Sequence, residues 1–251
     1  MGEEERNGFA QSGGATEKLE VIMGRAGLER LAASTVFVLG LGGVGSSCVE
    51  ALARGGVGHL IVLDCDVVQE SNINRQAIAF RSTLGQRKTA VVRAMVADIN
   101  PACTVEVVDR FVRADDVPTL MEEYGRRADL VIDAIDAISA KLALAAYADA
   151  VGIPLISSMG AANKLHPECL RFADVFDNVN CPLSRIMRKE CRKRGIRRLR
   201  VLYSCEQPVK VAPRPGAERR ERSNLGTASY MPPIMGQMIA GAAIRELAGI
   251  E

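Results

Sequence analysis

The chain has 251 residues, 48% hydrophobic and 25% charged, and a net charge of +2. These values suit one substantial globular domain and exclude polyanion binding by overall charge, so any nucleic-acid contact has to come from local clusters. The start, Met1-Gly2-Glu3-Glu4-Glu5-Arg6, is acidic where a secretory signal would be basic and then apolar.

Residues 1–16 are polar and glycine-containing, and are expected to be flexible. Thr35-Val36-Phe37-Val38-Leu39 is a short apolar run ending at Gly40, the pattern of a strand buried on both faces of a parallel sheet. A helical pattern follows over 44–54, then a second buried strand over 59–64. Residues 84–99 carry apolar side chains at helical spacing, stopped by Asn100-Pro101. A third strand is expected at 105–108, a helix at 115–124, a fourth strand at 129–133, a helix at 139–151 and a fifth strand at 153–157. This alternation predicts an α/β fold with a doubly wound, mostly parallel, Rossmann-like sheet, whose ligands bind beyond the carboxyl ends of the strands.

After residue 160 the alternation is lost. Residues 185–200 are densely basic, 206–224 are rich in proline and arginine, and an apolar helix is expected over 233–247. The apolar stretch 230–244 contains Gln237 and two prolines and falls short of the roughly 20 residues that a bilayer span needs. The organisation read from this is a nucleotide-binding core at 17–160 and an elaborated C-terminal lobe at 161–251. Seven cysteines, at 48, 65, 103, 169, 181, 191 and 205, form no C-x-x-C pair. They read as scattered, reduced thiols of a cytoplasmic protein.

Gly40, Gly42 and Gly45 match G-x-G-x-x-G between a strand and a helix, with Gly43 inside the run. A tight turn there lets backbone N–H groups and a helix N-terminus approach a phosphate. Asp64 ends the next strand, about where an acid holds ribose hydroxyls. Asp66, Asn72, Asn74, Arg75, Gln76 and Lys88 follow, combining neutral hydrogen-bonding groups with cations that suit a polyphosphate. Asp133-Ala134-Ile135-Asp136 closes the fourth strand. Asp136 fits either a helix N-cap or a magnesium ligand.

Taken in order, G-x-G-G-V-G, D-x-D, S-N-x-N-R-Q, a following Lys and D-x-x-D resemble the ThiF/MoeB/HesA adenylating superfamily, relatives of the ubiquitin-activating enzymes. The resemblance implies that Asp64 holds the ATP ribose, that Asn72, Arg75 and Lys88 hold its phosphates, and that Asp136 organises magnesium. The implied reaction is attack of a carboxylate on the α-phosphate, with Arg75 and Lys88 stabilising the charge that develops on phosphorus. ATP and magnesium are the implied cofactors, and a monovalent cation is a further candidate.

The second half resembles the tRNA threonylcarbamoyladenosine dehydratase branch. It does so at Met159-Gly160-Ala161-Ala162-Asn163-Lys164-Leu165, at Cys181-Pro182-Leu183-Ser184-Arg185, at Val201-Leu202-Tyr203-Ser204 and at 230–236. That branch closes a threonylcarbamoyl side chain on tRNA into a ring, consuming ATP through an acyl-adenylate. Its nucleophile belongs to the substrate, so Cys205 reads as structural. Cys181 and Cys191 sit in a basic setting that could lower a thiol pKa. The implied partners are tRNA carrying threonylcarbamoyladenosine and a second copy of the chain, with a sulfur-transfer protein as a candidate accessory. The C-terminal apolar helix is one candidate dimer surface. In the family a partner's N-terminal segment also supplies a cation to the phosphates, and here Lys18 and Arg25 stand near that place.

Nine of the 16 residues from Arg185 to Arg200 are Lys or Arg. Arg185, Arg188, Lys189 and Arg192 recur every three or four residues and share one helical face, with Lys193 beside them. So dense a run of one sign is self-repelling, which points to a polyanionic partner such as tRNA. Arg214, Arg219, Arg220 and Arg222 are candidates to extend it. The rival readings are an enzyme that adenylates the C-terminal glycine of a ubiquitin-like sulfur carrier, and a silent binding module that keeps only the fold.

Overall fold

The computed structural model of the chain describes residues 14–211 and 225–250. The expected flexibility of 1–13, and the candidate cations Arg214, Arg219, Arg220 and Arg222, lie outside those residues.

Seven strands build one sheet: β1 (Thr35–Leu39), β2 (His59–Leu63), β3 (Thr104–Val108), β4 (Leu130–Asp133), β5 (Leu155–Ser158), β6 (Leu170–Asp174) and β7 (Arg200–Ser204). Their spatial order is β3-β2-β1-β4-β5-β7-β6, parallel throughout except for β6, which runs antiparallel to β7 at the edge. The helices are α1 (Glu17–Ala33), α2 (Gly43–Arg54), α3 (Lys88–Ile99), α4 (Val117–Glu123), α5 (Ile138–Val151), α6 (Pro182–Lys193) and α7 (Met231–Leu247). α1 is interrupted at Gly24, whose φ of +68° breaks the helical run.

Helices on both faces explain the unbroken apolar strands. Val36 and Val38 point into a core shared with α2, α3 and α7, while Phe37 and Leu39 point into a second core beneath α4 and α5. All four are fully buried. Chain order reverses between β1 and β4, so the loops after these two strands diverge and leave a crevice at their carboxyl ends.

Two sequence expectations are revised. The helix expected from residue 84 starts at Lys88, because the Gly85 N–H donates to Val68 O, the Val68 N–H donates to Gln86 O, and Val67 bridges Arg87. β6 and β7 also carry the alternation past residue 160 and extend the same sheet. β6 escapes a search for apolar runs because Leu170 alone on it is fully covered and its other residues are half-buried or exposed.

α7 lies across α2 so closely that a Cβ on Gly236 would stand 2.3 Å from Val44 O, and one on Gly55 would stand 2.4 Å from Ile244 Cδ1. Met235, Ile239, Ala240 and Ala243 are buried in that contact. α7 thus covers the core of its own chain, while Ile234, Met238, Ile244 and Leu247 on it stay only partly buried. Among the described residues, no helix is long and apolar enough to cross a membrane.

Candidate active site

A cavity of about 850 Å³ opens at the carboxyl ends of the strands. Its walls come from the turns after β1, β2, β3 and β4, the segment after β5, and the first turns of α6 and α7.

The glycine turn is shaped by what surrounds it. Gly40 has φ +89°, and a Cβ there would lie 2.8 Å from Ala134 O. A Cβ on Gly45 would lie 1.7 Å from Gly40 O, so this position tolerates only glycine. Gly43 is crowded by Pro232 and Arg75. A Cβ on Gly42, by contrast, meets nothing within 4 Å. The protein itself makes no steric demand at Gly42, which stands on the cavity wall at the N-terminus of α2, where the helix dipole favours an anion.

Asp64, 9% exposed, braces this turn. Its Oδ2 accepts from the Leu41 N–H at 2.6 Å and its Oδ1 from the Asp66 N–H at 2.8 Å. Lys88 is buried with its Nζ 3.0 Å from Asp66 Oδ2 and 3.7 Å from Asp64 Oδ1. Burial raises the Asp66 carboxyl, but the hydrogen bond and charge of Lys88 outweigh it and hold Asp66 below the ordinary carboxylate range. The Cys65 thiol is pushed up by burial and by both neighbouring carboxylates, which removes thiolate character. Ligand atoms of Asp64, Cys65 and Asp66 lie within 4.8 Å of one another, and the Lys88 ammonium offsets one of the two carboxylate charges of that cluster.

Asn72 caps a short 3-10 turn, its Oδ1 accepting from the Gln69 N–H at 3.0 Å. Arg75 is held through Nη1, which donates to Ser71 O at 2.9 Å and to Asn74 Oδ1 at 2.8 Å. Gln76 is buried, and its Oε1 has no hydrogen-bond partner among the described residues. An orphaned polar atom in a cavity wall is a place for a ligand donor. Asp136 is exposed at the cavity, one residue beyond a turn pinned to the end of β4.

Most of the residues expected at the site therefore line one space: Gly40, Gly42 and Gly43, with Asp64, Asp66, Asn72, Arg75, Gln76, Lys88 and Asp136. Two do not. Gly45 stands behind the turn, against Gly40 O, and Asn74 does not line the cavity but bonds two residues that do, its Nδ2 donating to Thr227 O at 3.2 Å and its Oδ1 accepting from Arg75 Nη1. Lys18 and Arg25 are exposed on α1 outside the cavity wall, and Arg25 pairs with Glu29 at 3.2 Å.

The cavity also includes Arg110 and Phe111, which the sequence reading passed over, and Lys164, which it quoted only within a longer segment and gave no role. Arg110 and Phe111 follow β3, and Phe111 is 61% exposed. Their place after a strand end was the available signal, the same one that picks out Asp64 and Asp136. Lys164 is 1% exposed, its Nζ bound to the carbonyls of Glu206 and Asn180 and its amine pKa lowered by burial.

The cavity continues to Leu183 and Ile186 on α6, the basic helix. Arg185, Lys189, Arg192 and Lys193 are exposed there. Arg188 is not available in the same way, because its Nη1 donates to the backbone carbonyl of Asn178 at 2.6 Å and to its Oδ1 at 2.8 Å. Lys193 and Arg194 share Glu190, Arg197 pairs with Asp149 and Arg200 with Glu246. Arg192 stacks over Phe176 at 5.6 Å. Arg185, Lys189, Arg192 and Arg198 have no carboxylate partner among the described residues. The expectation of a low-pKa Cys191 is corrected: its thiol is fully buried under α6, and burial pushes it up to about 11. Cys181 Sγ serves as the N-cap acceptor of α6, 3.5 Å from Ser184 N.

The ThiF family model matches residues 16–251. The chain belongs to the ThiF family. Among ThiF-family relatives it is 38% identical over 237 residues to a tRNA threonylcarbamoyladenosine dehydratase of Bacillus subtilis (strain 168), covering 91% of this chain and 92% of that protein. It is 37% identical over 181 residues to the dehydratase of Escherichia coli (strain K12), covering 72% of this chain and 65% of that one. The crystal structure of E. coli tRNA N6-threonylcarbamoyladenosine dehydratase in complex with ATP superposes with a TM-score of 0.82 at 30% identity, covering 92% of this chain and 93% of that one.

Proposed function

We propose that this ThiF-family chain is an ATP-dependent tRNA threonylcarbamoyladenosine dehydratase. The observation that carries the proposal is the continuity of the cavity. One space joins the glycine turn and Asp136 to Leu183 and Ile186 on the basic helix α6. A nucleotide at one end and a tRNA nucleoside at the other would meet inside it.

In this reading ATP lays its phosphates over Gly42 and the N-terminus of α2. Each oxygen of Asp64 accepts one backbone N–H and keeps a lone pair for a ribose hydroxyl. Lys88 has a third donor beyond those near Asp66 and Asp64. Arg75, anchored through Nη1, keeps Nε and Nη2 for phosphate oxygens. Asp136 and the phosphates offer the hard oxygens that magnesium takes, and the ion when bound would neutralise phosphate charge.

The threonyl carboxylate then attacks the α-phosphate. A carboxylate oxygen–phosphorus bond forms, the α–β phosphoanhydride breaks, and pyrophosphate leaves. A nucleophile of the same side chain attacks the activated carbonyl and AMP departs, closing the ring. Loss of one water from the side chain is balanced by hydrolysis of ATP to AMP and pyrophosphate. Fixed cations around the phosphorus stabilise the developing charge without reorganising. No thiol takes part, in keeping with the raised pKa of Cys65 and Cys191.

Purified protein incubated with ATP, magnesium and tRNA bearing threonylcarbamoyladenosine is expected to release AMP and to yield a nucleoside lighter by one water in mass spectrometry. An unchanged nucleoside would overturn the reading. Pyrophosphate exchange triggered instead by the C-terminal glycine of a small carrier protein would replace it with the sulfur-carrier activity.

A further inference from the structure

Beneath the turn that carries Asp136 lies an ion pair with no solvent contact. Lys141 Nζ is 2.9 Å from Asp133 Oδ2, and both side chains are 0% exposed. Ser157 Oγ donates to the same Oδ2 at 2.6 Å. Lys141 Nζ also donates to Ile135 O at 3.0 Å, while the Ile135 N–H donates to Asp133 Oδ1 at 3.2 Å. The Ala134 N–H donates to Leu39 O at 2.8 Å. Both polar backbone groups of Ile135 are therefore held by the pair, and Ala134 is tied to the end of β1.

Taking two charges out of water costs several kcal/mol per ion, and apolar side chains of the same volume are often as stabilising. Stability alone gives no reason for the pair, but its position does. None of Asp133, Lys141 and Ser157 lines the cavity, whereas residues 134–138 all do. The pinned turn also abuts the glycine turn, where a Cβ on Gly40 would touch Ala134 O at 2.8 Å and one on Gly45 would lie 3.4 Å from Ala134 Cβ. A shift of residues 134–136 would move Asp136 and the wall of the phosphate site together.

We propose that Lys141, with Asp133 and Ser157, is a positioning group that locks residues 134–136 against the glycine turn and so sets where the Asp136 carboxylate sits. The proposal rests on the reading that Asp136 acts in adenylation. The ammonium is the only group in the network that spans both partners, joining the Asp133 carboxylate to the Ile135 carbonyl.

The test compares Lys141→Met, Ser157→Ala and Asp136→Ala in the full chain, by AMP release and by amide hydrogen exchange. Lys141→Met is expected to lower kcat about a hundredfold and Ser157→Ala about tenfold, as sub-ångström to ångström misplacement does. KM for ATP should move far less. Amide exchange at 134–136 should rise at least tenfold, by the same order as the rate loss, with protection in β1 and β4 retained. Asp133→Asn combined with Lys141→Met leaves no unpaired buried charge. It should show the same kinetic loss if the single Lys141 variant does not fold, and Ser157→Ala removes one hydroxyl only. Wild-type kcat in any folded variant of the network, or exchange raised uniformly through the sheet, overturns the proposal. Wild-type activity of Asp136→Ala overturns instead the assignment of Asp136 on which it rests.

Discussion

Asp64, Asp66 and Lys88 form one electrostatic unit, in which a buried ammonium faces two carboxylates and one of these also bonds the glycine turn. Motif order singled out all three residues, because a strand end after a phosphate turn is where an acid is useful. Their mutual pairing was not legible, since 22 residues separate Asp66 from Lys88 and only the fold brings them together. Lys141 was missed for a different reason. A lysine inside a helix reads as solvated, and nothing local marks one that is fully buried. The Asp66 shift has a pH consequence. Its folded pKa lies below the ordinary 3.8, so the Lys88 pair contributes stability fully present above that value and lost as pH falls through the lower folded one. Asp66→Asn is expected to lower Tm slightly at neutral pH and to match the wild type once pH falls below the folded pKa, which flattens the acid limb of Tm against pH; the change is small because Asp66 is 63% exposed.

At the scale of elements, the basic helix was predicted as a polyanion-binding face and α6 forms where expected, yet the face is divided. Arg188 turns inward to Asn178, while Arg185, Lys189 and Arg192 remain exposed without carboxylate partners among the described residues. Spacing at three and four residues places side chains on one face, but a long guanidinium can bond backbone on a neighbouring loop. Reversing Arg185 and Lys189 to Glu is expected to weaken tRNA binding about tenfold or more and to lower its salt slope by roughly 2, with ATP affinity unchanged, as filter binding across salt concentrations would show. Equal loss of ATP affinity would assign these residues to the fold. Arg188→Ala should behave differently, costing about 1–3 kcal/mol of stability by orphaning Asn178, measured by urea unfolding.

At the scale of the molecule, α2 carries the N-terminus over which the proposed reading lays the ATP phosphates, and it also forms the floor on which α7 lies. Gly236→Ala would place a methyl 2.3 Å from Val44 O, within the first turn of α2 after the glycine turn. It is expected to cost about 1–3 kcal/mol by overpacking and to raise KM for ATP, since relieving the clash moves the end of α2 that faces the phosphates. A stability loss with unchanged KM would confine the effect to packing. Local pattern alone determined the five strands, most of the helices between them, the glycine turn and most of the polar residues that line the cavity, because apolar runs, helical period and strand-end position are written within a few positions of one another. Only the tertiary structure decided the rest. It placed β6 and β7 at the edge of the same sheet, turned α7 onto α2, set Lys164, Arg110 and Phe111 in the cavity wall, and buried Lys141 under the Asp136 turn. Each of these depends on what a residue meets across the sheet or between helices, and such contacts join positions too distant in the chain for any local period to record.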